Sequence, residues 1–80
     1  MEDEFMKKFK IRLNSANDVE EFVKIASRFD FDIDLVSGTV YLDAKSLLGV
    51  LSMGLKRELN VCTMVEDQQF VSAIKKFSVA

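Results

Sequence analysis

The spacing of apolar residues switches along this chain between a period of two and a helical period, and these switches constrain the fold more than any other feature. From Lys7, apolar residues alternate with basic ones, which predicts a half-buried strand whose inner face is Phe9, Ile11 and Leu13. Helical spacing follows and predicts an amphipathic helix over residues 18–28. Asn17 and Glu20 have the spacing of a capping box at its start.

The middle of the chain predicts a β-hairpin and a short helix. Alternation returns over residues 30–35, and Ser37-Gly38 provides a tight turn before a second strand that contains Val40 and Leu42. Ser46 suits the N-cap of a short helix from Leu47 to Met53, and Gly54 suits the position just past its end.

The last part of the chain predicts one strand and one helix. Residues 59–65 form the strand, and Asp67 can cap a helix whose inner face is Phe70, Ile74 and Phe77. The order is therefore β-α-β-β-α-β-α, which predicts an α+β open-faced sandwich: a four-stranded antiparallel sheet with three helices on one face. With no linker or repeat, a single domain over residues 1–80 is expected, with residues 1–5 as a frayed acidic start.

Composition excludes several kinds of site. The chain contains no histidine, which rules out imidazole general bases, Ser-His-Asp triads and imidazole metal ligands. The single cysteine, Cys62, cannot form an internal disulfide and is expected to be a free, buried thiol. No cofactor and no metal site are expected. The acidic start differs from a signal peptide, and the uncharged run over residues 46–55 is too short to span a bilayer, so a cytoplasmic, unanchored protein is expected.

Two charged patterns in the sequence resemble binding sites. Asp30, Asp32 and Asp34 resemble the start of an EF-hand loop, but leucine and tyrosine stand where that loop needs glycine and glutamate. The aspartates are therefore predicted to lie on the solvent face of a strand. The basic residues of the first strand are predicted to belong to a charge-balanced sheet face rather than to a nucleic-acid site. They lie on the outward face of one strand, lack interleaved exposed aromatic residues and share the sheet with the aspartate strand. The methionines Met6, Met53 and Met64 are predicted to pack.

The segment from Asp43 to Gly54, DAKSLLGVLSMG, resembles the regulatory-serine segment of the HPr family. These are the small phosphocarrier proteins of the bacterial phosphoenolpyruvate-dependent sugar phosphotransferase system, and this version looks like that of Gram-positive members. The predicted element order over residues 7–79 is similar to that family's fold. The resemblance implies that a kinase phosphorylates Ser46. It also implies partners among the phosphotransferase proteins, an HPr kinase or a LacI-type catabolite regulator.

The chain departs from the family at the phosphate-carrying loop. The family carries its phosphoryl group on a histidine between the first strand and the first helix, where this chain reads Asn14-Ser15-Ala16-Asn17-Asp18. Counting back from the helix, Ser15 falls near the histidine's place and Asn17 near that of a neighbouring arginine. Counting forward from the strand makes the loop shorter than the family's, so these equivalences stay open.

The short helix contains more apolar residues than one buried face can use. Leu47, Leu48 and Leu51 are expected to stay partly exposed and, with Lys45, to contact a partner protein. The leading hypothesis is an HPr-like protein that has lost the phosphohistidine and acts as a non-catalytic regulatory or docking module, not an enzyme. Two alternatives remain: a working phosphocarrier with an unconventional acceptor such as Ser15, and an unrelated small scaffold or sensor domain.

Overall fold

The computed structural model describes residues 7–79, and these form a four-stranded antiparallel sheet and three helices. The strands are β1 (Lys7–Arg12), β2 (Asp34–Ser37), β3 (Val40–Asp43) and β4 (Glu58–Thr63); the helices are α1 (Ala16–Ala26), α2 (Leu47–Ser52) and α3 (Gln68–Ile74), which continues as a 3-10 turn over Lys75–Phe77. The order confirms the predicted α+β open-faced sandwich. Residues 1–5, expected to be frayed, and Met6 lie outside the described residues.

The sheet has the strand order β1-β4-β2-β3, and every neighbouring pair is antiparallel. The pairing aligns Phe9, Val61, Leu35 and Leu42 in one row across the sheet. Because side chains alternate between the two faces of a strand, this row and the row of Ile11 and Leu59 share the face that the helices cover.

The core lies between that face and the helices. Phe70 and Phe22 are its largest fully buried side chains, and Phe70, Ile74 and Phe77 are all buried, as predicted for the inner face of α3. The ring of Phe70 makes edge contacts with Phe29 and Phe31 at centroid distances of 5.3 and 5.7 Å. These contacts fasten the connection between α1 and β2 to α3.

Helix α1 begins at Ala16, two residues earlier than predicted. Ser15 is its N-cap, and the Ser15 hydroxyl oxygen accepts a hydrogen bond from the Asp18 N–H at 3.1 Å. The Asp18 carboxylate in turn accepts from the Asn14 N–H at 3.0 Å. The capping box predicted for Asn17 and Glu20 is therefore wrong, because Ser15 caps the helix two residues earlier and Asp18 satisfies the Asn14 N–H.

Strand β2 begins at Asp34 rather than at residue 30, so Asp30 and Asp32 lie in the preceding connection and not on the solvent face of a strand. The reason is that this connection packs its aromatic side chains against α3, which keeps it from pairing with a neighbouring strand. The hairpin turn consists of Gly38 and Thr39, since Ser37 pairs with Val40, and Gly38 has a φ of 61°.

Strand β4 ends at Thr63, two residues before the predicted end. The Thr63 hydroxyl accepts a hydrogen bond from the Val65 N–H at 3.1 Å, which turns the chain out of the sheet. Met64, just past this end, is 61% exposed, so the prediction that it packs is wrong, whereas Met53 is buried.

Candidate functional site

The β1–α1 loop presents Ser15 and Asn17 on the surface at the start of α1. Both side chains are exposed. The Ser15 hydroxyl oxygen is already an acceptor for the Asp18 N–H, as expected of an N-cap residue. The loop therefore offers one hydroxyl and one amide, and neither group titrates near neutral pH.

Asp18 is the one charged side chain in the loop from Asn14 to Asp18. Asp18 lies in the first turn of α1, where a carboxylate interacts favourably with the positive end of the helix dipole. The same carboxylate repels an incoming phosphoryl group. The loop after α2 lies alongside, because the Lys56 N–H donates to the Leu13 carbonyl at 2.8 Å.

Ser46 is the N-cap of α2, as predicted. Its hydroxyl oxygen accepts from the Gly49 N–H at 3.2 Å, and the residue is exposed. A Cβ at position 49 would lie 3.1 Å from the Ser46 hydroxyl oxygen, so the glycine leaves room for the capping side chain. The first turn of α2 contains no acidic residue. This combination leaves an accessible hydroxyl at a helix start.

The expected partial exposure of the α2 leucines is confirmed. Leu48 is 80% exposed, Leu47 is 41% exposed and Leu51 is 37% exposed, whereas Val50 is buried against the core. Leu55, which follows Gly54, is also exposed, and the sequence reasoning missed it. An apolar residue directly after a glycine helix stop was the available indication. Leu47, Leu48, Leu51 and Leu55 together are called the α2 patch below.

A shallow depression continues the α2 patch onto α1. It has a volume of about 360 Å³ and is lined by Leu47 together with Glu20, Val23, Lys24 and Ser27 of α1. Its lining combines the apolar side chains of Val23 and Leu47 with the charged side chains of Glu20 and Lys24. A shallow surface of this mixed composition suits a protein–protein contact better than an enclosed small-molecule pocket.

Lys45 has a structural role that the sequence did not indicate. Its ammonium donates to the Phe29 carbonyl at 2.6 Å, and its backbone N–H donates to the Asp43 carboxylate at 2.9 Å. The Lys45 ammonium thus links the segment before α2 to the connection after α1. The contact between Lys45 and a partner protein remains a prediction. The Lys45 ammonium already donates to an acceptor within the fold.

The other candidate groups form no site. Within residues 7–79, no three histidine, cysteine, aspartate or glutamate side chains are grouped so that they could hold a metal ion, and Cys62 is buried and forms no disulfide. Lys10 and Arg12 lie 3.8 and 3.0 Å from the carboxylate oxygens of Glu58, which fits the predicted charge-balanced sheet face. None of the helices in residues 7–79 is long and apolar enough to cross a membrane.

Comparison with known proteins gives one family match. A family model described as the phosphorylation site of the PTS HPr component matches residues 14–79. No relative among curated proteins matches the chain significantly.

Three solved structures share the fold. HPr-C-His from Thermoanaerobacter tengcongensis superposes with a TM-score of 0.71, at 20% identity over 88% of each chain. A phosphocarrier protein HPr from Bacillus anthracis str. Ames superposes with a TM-score of 0.66, at 22% identity over 91% of this chain and 93% of that one. A histidine-containing phosphocarrier protein from a mycoplasma superposes with a TM-score of 0.69, at 22% identity over 88% of this chain and 89% of that one. At these identities the likeness shows the fold.

Proposed function

The chain belongs to the HPr family of the sugar phosphotransferase system, and from this premise we propose that it docks on other proteins of that system without relaying phosphate. Members of the family carry phosphoryl groups and are not catalysts in themselves. The mycoplasma relative is described as histidine-containing, whereas this chain has no histidine. Ser15 is the only hydroxyl in the loop from Asn14 to Asp18 that stands where the family's histidine is expected.

The chemistry of that loop supports a loss of relay function. An imidazole attacks a phosphoryl group near neutral pH and releases it readily from a labile P–N bond, whereas a serine hydroxyl needs a base and forms a stable ester. No histidine can act as that base, and the Asp18 carboxylate at the helix start opposes the approach of a phosphoryl group. A phosphate that cannot leave Ser15 would end the relay.

The observation that carries the docking role is the exposure of Leu48, at 80%. An apolar side chain at the centre of a patch of leucines is stabilised when a partner covers it, at about 25 cal/mol per Å² of apolar surface removed from water. As partners we propose other proteins of the phosphotransferase system, an HPr kinase or a LacI-type catabolite regulator, which would place this role in the cytoplasm.

Replacing Leu48 by glutamate is expected to weaken binding of such a partner at least about tenfold, because a carboxylate at the centre of the interface must be desolvated. Isothermal titration of the first enzyme of the system, an HPr kinase and a LacI-type regulator measures the affinities. Tyr41→Glu is the matched control, since it makes the same kind of change on the helix-free side of the sheet. Equal affinities for Leu48→Glu and the parent chain would contradict the role of the α2 patch.

We further propose that phosphorylation of Ser46 regulates this docking. The hydroxyl is exposed at the start of α2, and a phosphate there would add about two negative charges beside free backbone N–H groups and the leucines that follow. That charge would change which partners the α2 patch accepts.

Incubation with an HPr kinase and ATP is expected to add the mass of one phosphate to the parent chain and none to Ser46→Asn, as read by intact-mass spectrometry. Asparagine caps a helix about as well as serine, so this variant keeps α2 and removes only the acceptor. Ser15→Asn makes the same change at the N-cap of α1 and should remain a substrate. No mass change, under conditions that modify an HPr of known activity, would contradict the proposal.

A further inference from the structure

A small cavity lies between the tip of the β2–β3 hairpin and the end of α2. It has a volume of about 190 Å³ and is lined by residues of both hairpin strands, of the end of α2 and of the segment before β4: Ser37, Val40, Leu42, Ser52, Met53 and Arg57. Pockets for drug-sized ligands usually have volumes of about 300–1,000 Å³. The cavity therefore suits a smaller molecule.

Half of the residues that line the cavity are apolar. Val40 and Leu42 both belong to β3, and because side chains alternate along a strand they lie on the same face of the sheet. Leu42 packs against the core, so this is the face that the helices cover, yet Val40 is 50% exposed. An apolar group that covered Val40 from the cavity would be stabilised, because apolar surface would leave water.

Arg57 is the one charged residue among the described residues that line the cavity. It is exposed, and within residues 7–79 it forms no ion pair. Glu58, which follows it in the chain, is paired instead with Arg12 and Lys10. The cavity therefore has one positive charge that an anion from outside the chain could balance.

The Arg57 guanidinium is held in position by the end of α2. Its Nη1 group donates to the Met53 carbonyl at 3.0 Å. The side chain also passes close to Gly54, since a Cβ at position 54 would lie 3.4 Å from the Arg57 Cδ. One of the five guanidinium N–H groups is used in this way, and four remain for a ligand. A guanidinium that is already positioned loses less conformational entropy when it binds.

The two serine hydroxyls of the cavity differ in what they can still donate. The Ser52 hydroxyl donates to the Gly49 carbonyl at 2.6 Å. Within residues 7–79 the half-buried Ser37 side chain forms no hydrogen bond. Ser37 therefore offers a second donor, beside the guanidinium, for an oxygen atom of a ligand.

We propose that this cavity binds a short aliphatic carboxylate. The carboxylate binds the Arg57 guanidinium and the Ser37 hydroxyl, and the aliphatic group covers Val40, Leu42 and Met53. Arginine binds carboxylates through two parallel charge-assisted hydrogen bonds.

The composition of the cavity favours this ligand over other small molecules. A phosphate would bring about two negative charges to a single cation and would leave the apolar walls in contact with water. A neutral apolar molecule would cover the walls but would give the Arg57 guanidinium no anionic partner. An aliphatic monocarboxylate matches both the single charge and the apolar walls.

Titration with isovalerate, followed by amide NMR spectra of the nitrogen-labelled chain, tests the proposal. Saturable shifts are expected at the amides of Ser37, Val40, Met53 and Arg57, with a dissociation constant of about 1–10 mM because so small a ligand makes few contacts. Isovaleramide has the same shape without the charge and should bind at least about fivefold more weakly. Acetate keeps the charge without the branched chain and should also bind at least about fivefold more weakly.

Two substitutions assign the two parts of the ligand. Arg57→Gln should weaken isovalerate binding at least about fivefold and make isovalerate and isovaleramide bind alike. Arg28→Gln, the same change at an exposed arginine outside the cavity, should bind like the parent chain. Val40→Thr should weaken isovalerate binding more than acetate binding, because it places a hydroxyl against the aliphatic group. Val65→Thr is its matched control, and circular dichroism confirms that each variant is folded.

An absence of saturable shifts at concentrations tenfold above the expected dissociation constant would overturn the proposal. Equal affinities of the parent chain for isovalerate and isovaleramide would also overturn it, because the guanidinium would then not be binding the carboxylate. So would shifts confined to the α2 patch, which shares no residue with the cavity. Leu48→Glu should bind isovalerate like the parent chain, and Arg57→Gln should bind phosphotransferase proteins like the parent chain, so the two proposals fail separately.

Discussion

Incubated with phosphoenolpyruvate and the first enzyme of the phosphotransferase system, this chain is expected to acquire phosphate at least about a thousandfold more slowly than an HPr with its histidine. The β1–α1 loop contains a serine hydroxyl that already caps α1, and a carboxylate in the first turn of that helix. Neither group can attack a phosphoryl donor as imidazole does. Labelled phosphoenolpyruvate followed by intact-mass spectrometry measures the rate.

The matched variants separate a missing nucleophile from a missing docking surface. Ser15→His combined with Asn17→Arg places the family's two side-chain types at the start of α1. If this double variant gains an acid-labile phosphate, the enzyme docks on the chain, and the absent imidazole and guanidinium together account for the inert parent. Ser15→Asn keeps the cap and should stay unlabelled.

An acid-stable phosphate on the parent chain that Ser15→Asn abolishes would contradict the proposed loss of relay. It would favour the alternative in which Ser15 is an unconventional acceptor. An acid-labile phosphate on the parent would be harder still to reconcile with the sequence, because the chain has no histidine to carry it.

The parts of the fold that short-range chemistry determines could be predicted closely. Ser46 caps α2 through the Gly49 N–H, and Asp67 caps α3 through the Phe70 N–H, so both starts depend on residues three positions apart. Gly54 has a φ of 91°, the left-handed conformation that ends a helix. Each of these features is contained in one turn of chain, and a pattern read along the sequence detects it.

The predictions that failed concern features that depend on contacts between residues distant in the sequence. The connection before β2 alternates like a strand, but Phe29 and Phe31 pack on Phe70 of α3, and this contact decides the conformation. The same limit applies at the site, where Lys45 donates to a carbonyl sixteen positions away. Exposure of Leu48 was predictable because α2 has too many leucines for one buried face, whereas Leu55 lies beyond the helix and outside that reasoning.

That aromatic contact also predicts the largest effect of a single substitution on stability. Phe70→Ala is expected to lower the free energy of unfolding by about 3–5 kcal/mol, since Phe70 is fully buried and truncation leaves a cavity. The edge contacts with Phe29 and Phe31, worth about 0.5–1.5 kcal/mol per aromatic pair beyond the buried area, are lost with it. Urea denaturation followed by circular dichroism measures the change.

A loss of this size is a large share of what holds so small a domain together. At about 0.05–0.15 kcal/mol per residue, a chain of 80 residues has about 4–12 kcal/mol of stability. At the low end of this range Phe70→Ala is partly unfolded at 25 °C, and at the high end it is folded but unfolds at a lower urea concentration than the parent chain. Met64→Ala is the matched control: it also shortens a large apolar side chain, but one that is 61% exposed, and it should change the free energy of unfolding by less than about 0.5 kcal/mol. If both variants unfold at the same urea concentration, the α1–β2 connection does not depend on Phe70, and the explanation given for the late start of β2 is wrong.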